Sequence, residues 1–170
     1  MPPSSFSCPG KMGSRSLCGI ATRKEAGMEM QPIGVIRTPF VSTDDMPRST
    51  SQAAGFTGTV EVFDTYRAGL KDLAGFSHVI LIWHLDRSRG FRLEVTPPKQ
   101  TQTRGLFASR SPHRPNPIGL SIVKLDRIED GVLYVDGVDM LDDTPLLDIK
   151  PYIPASDSIP DARPGWLARS

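Results

Sequence analysis

The sequence predicts an all-β fold, a small barrel or sandwich carrying one or two short helices. Three observations lead there. Eight short runs rich in aliphatic and aromatic residues recur between residues 33 and 150. Clusters of Gly, Pro, Asn, Asp and Ser punctuate them, as turns do between strands. One segment alone carries helical spacing, which argues against alternating βαβ units.

Residues 33–38 and 58–63 are short, β-favouring and followed by turn-forming or polar residues. Residues 65–73 place apolar side chains near helical spacing and form the helical candidate. Residues 78–85 contain the unbroken apolar stretch Val79-Ile80-Leu81-Ile82-Trp83 and end in His84 and Leu85. Residues 93–96 and 105–108 are brief strand candidates, and 118–128 is the longest. Glu129-Asp130-Gly131 reads as a hairpin turn into 132–135. Residues 146–150 alternate Leu147 and Ile149 with Asp148 and Lys150, as a strand with an outer face does.

At 170 residues the chain has room for one domain with a proper core. Residues 1–29 are rich in Ser, Gly, Pro and basic side chains and read as disordered or as upstream sequence, with Met28 and Met30 as alternative starts. Residues 30–170 form the domain. Net charge is only +1, yet charge is segregated along the chain. Residues 87–114 hold seven basic residues against Glu94, whereas 126–161 hold ten acids against Arg127 and Lys150. Such a basic belt can steer a polyanion to one face. Both cysteines, Cys8 and Cys18, precede the domain, which excludes a zinc framework and a disulfide scaffold and fits a reducing cytoplasm. No segment is long and apolar enough for a signal-peptide core or a membrane span.

Chemistry points to one stretch, Arg110-Ser111-Pro112-His113-Arg114-Pro115-Asn116-Pro117-Ile118-Gly119-Leu120-Ser121. Three prolines restrict their own φ and the residues before them, so the polar groups sit on a stiff loop. Rigid Arg and Asn beside a strand suit a site that grips an anion or a base. P-loop, nucleophile-elbow and HExxH motifs are absent, and Gly55-Phe56-Thr57-Gly58 lacks the context of a dinucleotide fingerprint. What remains is a site of Arg, Asn, His, Asp and backbone groups.

That stretch, together with Ile33-Gly34-Val35-Ile36-Arg37-Thr38-Pro39-Phe40 and the 139–152 segment Asp-Met-Leu-Asp-Asp-Thr-Pro-Leu-Leu-Asp-Ile-Lys-Pro-Tyr, resembles the TsaA-like family of tRNA (adenine-N6)-methyltransferases. The resemblance covers about residues 30–161. It implies a single β-barrel that binds S-adenosylmethionine without a Rossmann sheet. It places cofactor contacts on Arg48, His84, Leu85, Arg110, Leu120 and the run Gly137, Val138, Asp139, Met140 and Leu141. The implied substrate is tRNA bearing N6-threonylcarbamoyladenosine beside the anticodon. Arg114, Asn116, Lys150 and Tyr152 are the substrate-binding candidates, with Phe40 or Tyr152 as a stacking surface for a splayed base. Arg110 is chemically suited to the cofactor carboxylate through a bidentate fork. No catalytic base is identified; Asp139, Asp142 and Asp143 are the candidates. No metal is expected.

Two departures from the family pattern stand out. Asp142-Asp143-Thr144-Pro145 replaces an expected Asp-Gly-Thr-Pro, adding a charge where φ can be positive. The chain also ends at Ser170 without the further C-terminal region of longer members, so two subunits are expected to pair as a homodimer. The rival readings are a non-catalytic RNA-binding barrel and a methyltransferase of the same fold with another small or nucleoside substrate.

Overall fold

The computed structural model describes residues 29–47, 52–98 and 100–168. The expectations for residues 1–28 and for Arg48 lie outside the described residues. Eight strands follow in chain order: β1 (Gly34–Arg37), β2 (Thr57–Val62), β3 (His78–His84), β4 (Glu94–Val95), β5 (Arg104–Gly105), β6 (Ile118–Glu129), β7 (Val132–Asp136) and β8 (Thr144–Pro151). Six of them close into an antiparallel barrel in the order β1-β2-β7-β6-β3-β8, with β8 returning to pair with β1. The strands β4 and β5 form a separate two-stranded ribbon within the long connection from β3 to β6.

Period-two alternation decides what fills the barrel. From β3, Val79, Leu81 and Trp83 point inward; from β6, Ser121, Val123 and Leu125 do. Ile36, Val60, Val62, Leu133, Val135 and Leu146 complete the packing. Each fully buried aliphatic side chain of this kind stabilises the fold by about 1.5–3 kcal/mol.

Antiparallel closure puts the β1–β2, β3–β6 and β7–β8 connections at one end and the β2–β3 connection, residues 63–77, at the other. Residues 38–56, 85–117 and 137–143 all emerge at the first end, and each carries part of one of the three motifs. At the opposite end β6 and β7 meet in the expected tight turn, where Asp130 (φ 49°) and Gly131 (φ 82°) adopt the left-handed pair that a two-residue hairpin demands.

Two sequence expectations need correction. Residues 65–73 form no α-helix; 3₁₀ turns span Asp64–Leu70 and Leu73–Gly75, broken where Asp72 turns left-handed at φ 67°. Of these residues only Leu73 is buried, so no apolar face anchors a longer helix. Residues 105–108 are a strand only at Gly105, after which Leu106–Ala108 coils into a 3₁₀ turn that buries Leu106. A short helix, α1 (Pro154–Asp157), follows β8, with Pro154 in its first turn and Asp157 accepting from the Ile153 amide at 2.7 Å. Among the described residues no helix is long and apolar enough to cross a membrane.

Candidate functional site

The three motif-bearing connections enclose a cleft of about 210 Å³ at their end of the barrel. The 38–56 loop contributes Thr43 and Met46, and the end of β3 contributes Trp83, His84 and Leu85. Asp86, Arg87 and Ser88 follow on the next turn, facing Pro112 and His113. Met140, Leu141 and Thr144 close the side nearest β8.

The floor is built by a hydrogen-bonded chain. Trp83 lies across Gly119, its cross-strand partner, where any Cβ would come within 2.3 Å of the indole. The indole Nε1 donates to Ser121 Oγ at 3.1 Å, and that hydroxyl donates to Asp139 Oδ1 at 2.5 Å. Because an indole N–H only donates, the direction of both bonds is fixed and the Asp139 oxygen is the acceptor. Ser121 is 1% exposed, so the middle of the chain is dry.

The rim is tied with equal economy. Arg87 donates from Nη2 to the Asp142 carbonyl at 2.7 Å, which fixes its guanidinium beside the cleft. Ser88 Oγ donates to the Pro112 carbonyl at 3.0 Å and lies 3.0 Å from His113 Nδ1, so that ring nitrogen is the donor to Ser88.

The turn between Met140 and β8 is held from several sides. The Asp142 carboxylate accepts from the Thr38 amide at 3.0 Å, and the Asp142 amide donates to the Phe40 carbonyl at 2.7 Å. Asp143 is left-handed at φ 63°, the position the family pattern gives to glycine, and its carboxylate pairs with Arg37 at 2.8 Å. The added charge is therefore matched by a cation. An exposed pair of this kind contributes about 0–1 kcal/mol, while the left-handed backbone costs a side-chain-bearing residue roughly 1–2 kcal/mol. Asp143→Gly is thus expected to melt at or above the parent temperature, and Asp143→Ala to lose about 1 kcal/mol, because it keeps the strain and drops the pair. Thermal melts of both variants check this; an Asp143→Gly variant clearly less stable than Asp143→Ala would refute it.

A larger groove of about 480 Å³ runs along the outer wall past Arg37, Thr59, Arg127 and Tyr134. Its charges are matched within the wall. Arg37 meets Glu61 and Asp143, Arg127 lies 3.5 Å over the Tyr134 ring and pairs with Glu129, and Asp126 bonds Lys124, which raises that ammonium above the ordinary lysine value. Among the described residues no cluster of three or more His, Cys, Asp or Glu is arranged to hold a metal ion.

The family profile of the tRNA-methyltransferase O N-terminal domain matches residues 35–158, which include all three of these connections. The chain belongs to this TrmO family. A probable S-adenosyl-L-methionine-binding protein of Pyrococcus abyssi is 46% identical over 82% of the chain and 76% of its own length. The mouse tRNA (adenine(37)-N6)-methyltransferase is 36% identical over 88% of the chain but only 37% of its own length. The crystal structure of TrmO from Pseudomonas aeruginosa superposes with a TM-score of 0.70 at 38% identity, covering 82% of the chain and 62% of that protein. The chain thus spans less than two thirds of these longer TrmO relatives.

Within this TrmO barrel the expected residues divide into two groups. His84, Leu85, Met140 and Leu141 line the cleft, and Asp139 is tied beneath it through Ser121. Gly137 (φ 96°) and Val138 are buried at the end of β7, where both amides donate to the Phe56 carbonyl. Arg110 lies on the exposed loop outside the cleft lining, and Leu120 is 58% exposed on the outer wall of β6. Arg114 donates to the Ser109 and Ser111 carbonyls, and the Asn116 carbonyl accepts from Ile118. Lys150 pairs with Asp148 at 2.7 Å on the outside of β8. Tyr152 packs against His78, at the start of β3, about 20 Å along the strand from His84. Phe40 is no open platform: it is 4% exposed and packs edge-on against Phe56.

Asp86 and Arg87 carried no motif signal of their own. The available clue was position, since they are the first polar residues after the most apolar strand.

Proposed function

We propose that the chain is an S-adenosylmethionine-dependent methyltransferase that acts in the cytoplasm on N6 of adenosine 37 in tRNA, with the threonylcarbamoyl form of that base as substrate. The observation that carries this reading is the convergence of three motif-bearing connections on one cleft with an apolar wall and a fixed arginine. Met46, Trp83, Leu85, Met140 and Leu141 suit an adenine ring, Arg87 suits the carboxylate of the methionine part, and Asp86 suits its amino group. The residues fit the cofactor. When bound, S-adenosylmethionine supplies an electrophilic methyl group on a sulfonium.

The chain's own residues do the rest. The rigid rim would orient the substrate base toward the bound cofactor, and such positioning would supply much of the acceleration. The apolar wall excludes water. His113 faces the same cleft and is left there to accept the N6 proton. Asp139, Asp142 and Asp143 each give a carboxylate oxygen to Ser121, Thr38 and Arg37, and serve as scaffold.

The cleft is smaller than the roughly 300–1,000 Å³ of most small-molecule sites, which favours a second copy completing it. Leu120 stands on the outer wall between Ile118 and Ile122 of β6, beside Ile80 and Ile82 of β3. A two-fold pairing across this stripe buries it and lets Leu120 and Arg110 reach the partner's cleft. Calorimetric titration with S-adenosylmethionine, with and without the threonylcarbamoyl-modified tRNA, tests the activity. Light scattering of Leu120→Glu tests the pairing. The expected results are micromolar cofactor affinity, methylation of that tRNA, and a dimer that Leu120→Glu converts to monomers with weakened cofactor binding. No cofactor binding in either condition would refute the enzyme, and a monomeric parent would refute the pairing.

A further inference from the structure

We infer that the exposed ring of Phe107, held beside Arg114, is a stacking platform for an unpaired base of single-stranded RNA. This rests on the tRNA reading above and names the surface that receives the loop.

The 3₁₀ turn Leu106–Ala108 plants Leu106 in the interior at 1% exposure and leaves Phe107 outside at 73%. An aromatic ring that open forgoes most of the stabilisation burial would give it. It is nevertheless held in place. The Arg114 guanidinium lies 5.7 Å from the ring centroid, and Arg114 is itself fixed by bonds to the Ser109 and Ser111 carbonyls. The underside of the turn is closed by Trp166, whose Nε1 donates to the Ala108 carbonyl at 2.8 Å. His113, adjacent to Arg114 in sequence, lines the cleft. The platform therefore sits on the same stiff loop as the site it would serve.

The surroundings say what lies on it. Phe91 and Leu93, 54% and 62% exposed, alternate with the exposed Arg89 and Arg92 in the same connection. Glu94 is the sole acid between Arg87 and Arg114. Basic side chains interleaved with open aromatic and apolar ones match a polyanion whose bases are unstacked, and not a duplex, which offers phosphates without ring faces. Charge repulsion within so basic a segment opposes a second copy of the same surface as its occupant.

The test measures fluorescence anisotropy of a labelled anticodon stem–loop RNA, and of the same stem closed as a duplex, with the full chain and its variants. Phe107→Ala is expected to weaken stem–loop binding tenfold or more while leaving duplex binding, cofactor affinity and melting temperature in place; Phe107→Trp restores it. Arg92→Gln is expected instead to reduce the salt dependence of binding for both RNAs alike. Equal stem–loop affinity in Phe107→Ala overturns the platform while the methyltransferase reading stands. Dissociation of a dimer by Phe107→Ala would assign the ring to a contact between copies and likewise overturn it. A parent chain that binds neither RNA defeats both readings.

Discussion

Gly119→Ala is expected to unseat Trp83 and to lower the melting temperature by about 3–10 °C, from roughly 1–3 kcal/mol of overpacking in a domain of this size. The added methyl would sit 2.3 Å from the indole, well inside van der Waals contact. The ring cannot simply slide aside. Its Nε1 is bound to Ser121, and the strand carrying it is paired on both edges, with β6 and β8. Because Trp83 is also a wall of the cleft, cofactor affinity should fall with stability. Adding Trp83→Phe, a smaller ring with no N–H to satisfy, should recover part of the loss, and the two substitutions should be non-additive. Additive melting temperatures across the four proteins would show that the clash is not with Trp83.

Ser121→Ala is expected to weaken cofactor binding about tenfold, a larger effect than its change in surface would suggest. The hydroxyl is the middle of the Trp83–Ser121–Asp139 chain, so its loss leaves a buried indole donor without its acceptor and removes one of the contacts that orient the Asp139 carboxylate. An unsatisfied buried polar group costs about 1–3 kcal/mol. The role expected of Ser121 is that of a positioning residue, which would act on the proposed cofactor run through Asp139. A merely structural role predicts a lower melting temperature with cofactor affinity intact. Retention of affinity in Ser121→Ala would therefore remove the positioning role, whereas Ser121→Thr, which keeps the hydroxyl, should bind as the parent does.

These two residues also mark how far the sequence could be read. Six of the eight strand runs were legible nearly to the residue, because β-favouring side chains set off by turn residues mark where a barrel wall begins and ends. The Asp130-Gly131 turn was legible because its backbone admits few residue types. The 65–73 segment misled, since apolar spacing announces a helix only when a face is there to receive it. At the site, His84, Leu85, Met140 and Leu141 were reachable through the family resemblance. Ser121 and Gly119 were quoted within the proline-rich motif, yet what matters about them is what stands across the strand pair. Such a contact depends on register and closure, which no local pattern specifies. Arg87 was hidden for a related reason: among seven basic residues in one belt, only the carbonyl of Asp142 singles it out.

Closure of the barrel has a consequence for how the protein behaves at high concentration. Every wall strand pairs on both sides, but β6 runs past β7 at residues 118–123 and β8 runs past β1 at residues 147–151, so open amides and carbonyls in the wall lie at these two overhangs. The β4–β5 ribbon adds only strands two residues long, with Glu94 and Arg104 among them. That is too short and too charged to template growth of a sheet. Strand addition by another chain is thereby directed to the overhangs, and on β6 that overhang is where Ile118, Leu120 and Ile122 are exposed.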